Sequence, residues 1–117
     1  MSRKKTLILY NSRLRNMDIA KVSKRIYQLQ KKKISELDVE LTSELVFLHL
    51  SEEVGEIARQ LVNKNLAIRK YEENNLKEEI VQAILDLFVL SEVHNIDLPE
   101  QLTRKIEEMA KRQQIPS

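Results

Sequence analysis

The chain of 117 residues has no cysteine, no tryptophan, one glycine and two prolines. Without cysteine, disulfide scaffolds, thiolate zinc sites, iron–sulfur clusters and thiol catalysis are excluded. So few glycines and prolines do not punctuate a turn-rich β sandwich or barrel. No apolar run approaches the roughly 18 to 20 residues that span a bilayer, and the basic start is not followed by a secretory-type apolar stretch with a cleavage site. Hydrophobic residues make up 42% and charged residues 32%, a globular composition. The expectation is one small, mostly helical domain, soluble and cytoplasmic, with no membrane partner.

The formal charge of +2 hides a division. Residues 1–33 hold eleven Lys or Arg and one acid, Asp18, whereas residues 34–117 hold nine bases against seventeen acids. Such asymmetry marks either a basic arm for nucleic acid, through residues 3–33, or a basic element lying over an acidic body. Tyr10 and Tyr27 are the only aromatic rings available for base stacking in that segment.

Periodicity then sets the elements. Thr6–Tyr10 is a short apolar run compatible with strand or helix. From Asp18, Ile19, Val22, Ile26 and Leu29 recur at three- and four-residue steps, the pattern of an amphipathic helix, until Lys31–Lys33 and Ser35 interrupt it. Ser35 with Asp38 has the form of a capping box, which predicts a second helix from about Glu36 to Val62 with Leu37, Leu41, Leu45 and Leu48 as one stripe. Residues 63–74 read as the turn region, with residues 66–71 (LAIRKY) open to helix. Asn75 and Glu78 start a third helix that runs to about His94. Asp97, Pro99 and Glu100 start a fourth, striped by Leu102, Ile106 and Met109. Short connections between long amphipathic helices favour an antiparallel bundle. Apolar residues on more than one face of it predict assembly with further copies. The organisation is thus a basic segment over residues 1–35, with its amphipathic helix, and an all-α core over residues 36–117.

Two acidic rows carry the chemistry. Residues three or four apart share a helix face, so Glu53 and Glu56 project together, and Glu79, Gln82 and Asp86 form a row on the next helix. Apolar neighbours (Val46, Leu50 and Ile57; Ala83, Leu90 and Val93) turn both rows partly inward. Carboxylates held close together repel unless protons or a cation compensate them. An oxygen-only donor set suits a hard ion such as Mg²⁺ or Mn²⁺. Gly55, inside the cluster, costs about 1 kcal/mol relative to Ala in a helix and points to close backbone approach there. The competing reading is a solvated glutamate-rich surface.

The order of features from about Leu41 to Lys111 resembles the MazG-like, all-α nucleoside triphosphate pyrophosphohydrolases. An apolar lead-in (LVFLHL) precedes SEEVGEIARQL and a polar gap. LKEEIVQAILDLFVLSEV, NIDLPEQL and a closing KIEEMAKR helix follow. The resemblance implies a bundle of about four helices completed as a dimer or tetramer. It also implies Mg²⁺ held by an ExxE and an ExxD pair, and hydrolysis of a nucleoside triphosphate to monophosphate and pyrophosphate, often as house-cleaning of non-canonical nucleotides. By position, ExxE falls on Glu53 and Glu56, and ExxD begins at Glu79.

Its last member falls on Gln82, which offers a neutral carbonyl oxygen and no charge. Asp86, one turn on, is the candidate substitute. The metal set is then Glu53, Glu56, Glu79, Gln82 and Asp86, with Glu52 or Asp86 accepting a proton from the attacking water and His49 or Lys77 contacting the nucleotide. His94, near a helix end, reads as a favourable dipole contact. The basic first third serves as a cover over the acidic site, as an oligomerisation element through its Ile19–Leu29 stripe, or as a nucleic-acid arm. The alternative to catalysis is a weakened, non-catalytic binding or regulatory protein on the same scaffold.

Overall fold

The structure, a computed structural model, describes residues 18–66 and 71–116. Those residues are all-α: α1 spans Ile19–Ser35, α2 Ser43–Leu66, α3 Glu73–Val93 and α4 Leu98–Arg112. Thr6–Tyr10 and most of residues 66–71 lie outside them. No helix among the described residues is long and apolar enough to cross a membrane.

Asp18 caps α1, its carboxylate accepting from the backbone N–H of Ala20 at 2.9 Å and of Lys21 at 3.4 Å. The lysine triplet does not interrupt this helix. Lys32 and Lys33 lie in its last turn, where cations are favoured by the carbonyl end of the helix dipole. The expected capping box at Ser35 and Asp38 proves to be a stop. Ser35 Oγ donates back to the Lys32 carbonyl at 2.8 Å. Asp38 takes φ 56°, and the Val39 and Asp38 N–H groups bond back to the carbonyls of Ile34 and Ser35. This is the paired-bond ending in which one left-handed residue closes the helix.

The second helix consequently begins seven residues later than expected. Thr42 caps it, accepting from Leu45 N–H at 3.2 Å through its hydroxyl. Leu37 and Leu41 therefore precede the helix and do not share its stripe, and Leu48 is exposed. Asn63–Leu66, expected in the turn region, continue α2. α3 begins at Glu73, two residues before Asn75, and Asp97 caps α4 through Glu100 N–H at 3.3 Å with Pro99 in the first turn. Asn95 and Gln114 end α3 and α4 in the same left-handed manner as Asp38.

α3 is the central element, packed against α2 on one flank and α1 on another, while α4 lies sparsely against α1. Three contacts fix α2 and α3 as an antiparallel pair. Ser43 Oγ meets His94 Nε2 at 2.8 Å, His49 meets Asp86 at 2.7 Å, and Glu72 N–H donates to Gln60 Oε1 at 3.2 Å. The Ile19–Ile26 stripe of α1 is half-buried within this unit, and Ser23, fully buried, gives the helix a small side chain there. Val46 and Val89 are the only buried apolar side chains among the described residues. A cavity of about 110 Å³ opens beside them, bounded by Ile34, Leu41, Leu45 and His49.

No other helix among the described residues approaches Gly55: a Cβ built there meets nothing within 4 Å. Within this chain, chain entropy and helix propensity are what an added methyl changes. Gly55→Ala is expected to stabilise the fold by about 0.5–1 kcal/mol, read as a higher midpoint in thermal or urea unfolding.

Candidate functional site

Beyond the buried Val46, the face that α2 turns to α3 carries a polar row. His49, Glu53, Glu56 and Gln60 follow one another at steps of four, three and four, which places them on a single row. Opposite stand Glu79, Gln82 and Asp86 of α3. The antiparallel register brings the rows together, so six of the residues singled out in the sequence share one inter-helix space. Gln60 belongs to the same row, and its i+4 spacing from Glu56 was the available signal. Glu52 and Lys77 are exposed and make no hydrogen bond or ion pair with this group among the described residues.

Asp86 is 3% exposed and both its carboxylate oxygens are engaged. Gln82 Nε2 donates to Oδ1 at 2.9 Å. His49 Nδ1 lies 2.7 Å from Oδ2; toward an ionised carboxylate, which can only accept, the Nδ1–H tautomer is the donor. A buried carboxylate requires such partners, and stripping one away costs about 1–3 kcal/mol. His49 is thereby oriented with Nε2 on the side of Glu53, 3.9 Å from Oε1. Glutamine at position 82 has a local role: its amide bonds to the buried Asp86, whereas an aspartate there would set a second carboxylate one turn away.

Glu79 is in the opposite condition. Its Oε2 is buried and has no hydrogen-bond partner. Burial raises its pKa above the ordinary 4.5, and the charges of Glu56, Glu53 and Glu78 raise it further, against a lowering by Arg59. Arg59 is committed to Glu56, at 3.4 Å. An unpaired buried oxygen facing two carboxylates is a donor set of the chemistry a hard divalent cation requires. The side chains are not gathered around a point, however. Among the described residues no three His, Asp or Glu groups stand in metal-holding proximity. Holding an ion would require Glu53 and Glu56 to swing toward Glu79.

His94 contributes differently from a dipole contact alone. At the C-cap of α3 it pairs with Ser43 at the start of α2, pinning the end of the helix pair remote from the acidic cluster.

No protein-family model, curated protein or solved structure matches the chain.

The raised pKa of Glu79 fixes a sign. A carboxyl whose folded pKa lies above its unfolded value binds protons more readily when folded. Its contribution therefore favours the fold at low pH and turns against it as pH rises above about 4.5. Without divalent cation, Glu79→Gln is expected to raise the unfolding midpoint at neutral pH, with an advantage that shrinks toward pH 4.5 and below. Unfolding of both proteins across that pH range checks it.

Proposed function

We propose that the chain is a divalent-cation-dependent hydrolase of nucleoside triphosphates that releases pyrophosphate and the nucleoside monophosphate. The observation that carries this reading is Glu79: a carboxyl group between two helices, one oxygen buried and unpaired, repelled by Glu53 and Glu56. Charge of that kind is compensated by a proton or a cation. The MazG-like order of motifs from Leu41 to Lys111 supports the same reading.

Glu53, Glu56 and Glu79 would hold Mg²⁺ or Mn²⁺, with the carbonyl oxygen of Gln82 as a neutral contributor. Such an ion, when bound, neutralises charge on phosphate oxygens and lowers the pKa of a bound water. The remaining work falls to this chain. Asp86 acts through His49, since both its oxygens are occupied. It holds Nδ1 and leaves Nε2 on the side of the acidic cluster, where that atom can accept a proton or a hydrogen bond from substrate. Glu52, exposed one residue from Glu53, is a carboxylate with open lone pairs for proton transfer. Lys77 contacts outlying phosphate or stays solvated.

A second reading, a binding or regulatory protein on this scaffold without turnover, is favoured by one observation. Both oxygens of Asp86, the candidate replacement for the acid at position 82, already accept hydrogen bonds from Gln82 and His49.

Pyrophosphate release from a panel of triphosphates with Mg²⁺ or Mn²⁺ separates the two. The hydrolase reading expects activity that falls at least a hundredfold in Glu53→Gln, because one of three anionic ligands is lost. Gln82→Asp is expected to raise turnover in the presence of metal while lowering the unfolding midpoint without it, through repulsion of Asp86. An inactive parent whose Gln82→Asp variant gains activity identifies the weakened protein. Inactivity in both, with no metal-dependent rise in unfolding midpoint, defeats the hydrolase reading.

A further inference from the structure

The outward face of α1 carries charge of one sign only. Six of the 17 residues of this helix are Lys or Arg, and none is Asp or Glu. Lys21, Lys24, Arg25, Gln28, Lys31 and Lys32 are all exposed. At about 100° and 1.5 Å per residue, these positions fall within an arc of roughly 120° and along roughly 16 Å of helix. The opposite side bears Ile19, Ser23 and Ile26, buried or half-buried where α1 packs on the bundle. α1 therefore spends its apolar stripe inside the chain and turns its bases away from α3 and the acidic row.

No acid of the chain compensates that face among the described residues. None of its five cations makes an ion pair or a side-chain hydrogen bond there. Lys31 lies over the ring of Tyr27, 5.8 Å from its centroid. α4 is the contrast. It interleaves Glu100, Glu107 and Glu108 with Arg104, Lys105, Lys111 and Arg112, and Arg112 pairs with Glu108 at 2.6 Å. Mixed signs are what a merely solvated helix shows, since like charges one turn apart repel. On α1, Lys21 stands one turn from both Lys24 and Arg25 with no acid between them.

We infer that this face binds the phosphate backbone of double-stranded nucleic acid without reading its sequence. Charge selects a polyanion. A duplex carries one phosphate charge per about 1.7 Å of its axis, so a row of cations this long meets several phosphates at once. The lack of rings in the row selects a duplex over a single strand, whose binding rests on bases stacked on aromatic side chains. Tyr27, the one ring on α1, is half-buried with Lys31 over it. A bilayer is disfavoured because an interfacial helix inserts an apolar face opposite its charges, and that face of α1 is packed into the chain. Indifference to sequence follows from the side chains: four of the five cations are lysines, point charges that suit phosphate and not base edges. The sequence before α1 adds Arg3, Lys4, Lys5, Arg13 and Arg15 and no acid. The inference stands apart from the hydrolase reading, since no residue of this face is a proposed metal ligand or substrate contact.

Equilibrium binding of the full chain gives the test, with DNA and RNA duplexes, a single strand and phosphatidylserine vesicles as probes, across a salt series without divalent cation. Duplex affinity is expected to fall with salt at a log–log slope of about −3 or steeper. The triple variant Lys21→Gln, Arg25→Gln, Lys32→Gln is expected to keep its helical circular dichroism. It should flatten the slope by about three and weaken binding at least about thirtyfold at roughly 0.1 M salt. Arg104→Gln, Lys105→Gln, Lys111→Gln on α4 removes the same net charge and is expected to move the slope by less than about one. A preference between the two duplexes identifies which nucleic acid is held. Absence of duplex binding at low salt overturns the inference, as does an α1 triple that binds like the parent or no worse than the α4 triple. Tighter binding to the single strand or to vesicles than to either duplex also overturns it. Should the α1 triple lose its helicity, Lys21→Gln and Lys32→Gln decide singly. Each is expected to flatten the slope by about one, and an unchanged slope in both defeats the assignment.

Discussion

The structure turns on a polar meeting of its two longest helices. Past the buried Val46, the contact between α2 and α3 is largely polar. They meet through His49, Glu53, Glu56 and Gln60 on one side and Glu79, Gln82 and Asp86 on the other. A pair of helices can tolerate such a seam only if each buried polar group finds a partner. Half of the seam meets that requirement within the chain, because Asp86 receives Gln82 and His49. The other half does not, because Glu79 has like charges for neighbours. The contrast between a satisfied and an unsatisfied carboxylate, two helical turns apart, separates a structural anchor from a candidate site.

The placement of apolar residues follows from the same constraint. With much of the inner faces of α2 and α3 taken by polar groups, many of their large hydrophobic side chains lie on flanking faces. One flank is roofed by α1, through the small Ser23 and the half-buried Ile19, Val22 and Ile26. The other carries Phe47, Val54, Leu61, Ile80, Ile84 and Leu87. Hydrophobic burial, the dominant favourable contribution to folding, is thus displaced from between the two helices to their sides.

Much of this was legible in the sequence. Three- and four-residue periodicity gave the helices, and Asp18 and Asp97 gave two of their starts, because a short polar side chain before an apolar period satisfies backbone donors in one way. The two acidic rows were also readable, since helical spacing alone decides which residues share a face. The helix stops were not. With a single glycine in the chain, the left-handed positions that close helices fall to Asp38, Asn95 and Gln114, residues that adopt such a conformation only occasionally. Asp38 looked like part of a beginning because the same side chain serves at either end of a helix. The partner of Asp86 was likewise hidden. Gln82 lies one turn away and could be anticipated, but His49 is 37 positions distant and reaches it only through the antiparallel register.

The sparse seating of α4 has a consequence for motion. This helix packs lightly on α1, has no fully buried residue, and ends on a left-handed glutamine. Local opening free energies follow contact and burial, so α4 occupies the least protected rung of the fold. Its amides exchange with solvent hydrogen by lifting of that one helix, while those of α3, gripped on two flanks, wait for the whole bundle to come apart.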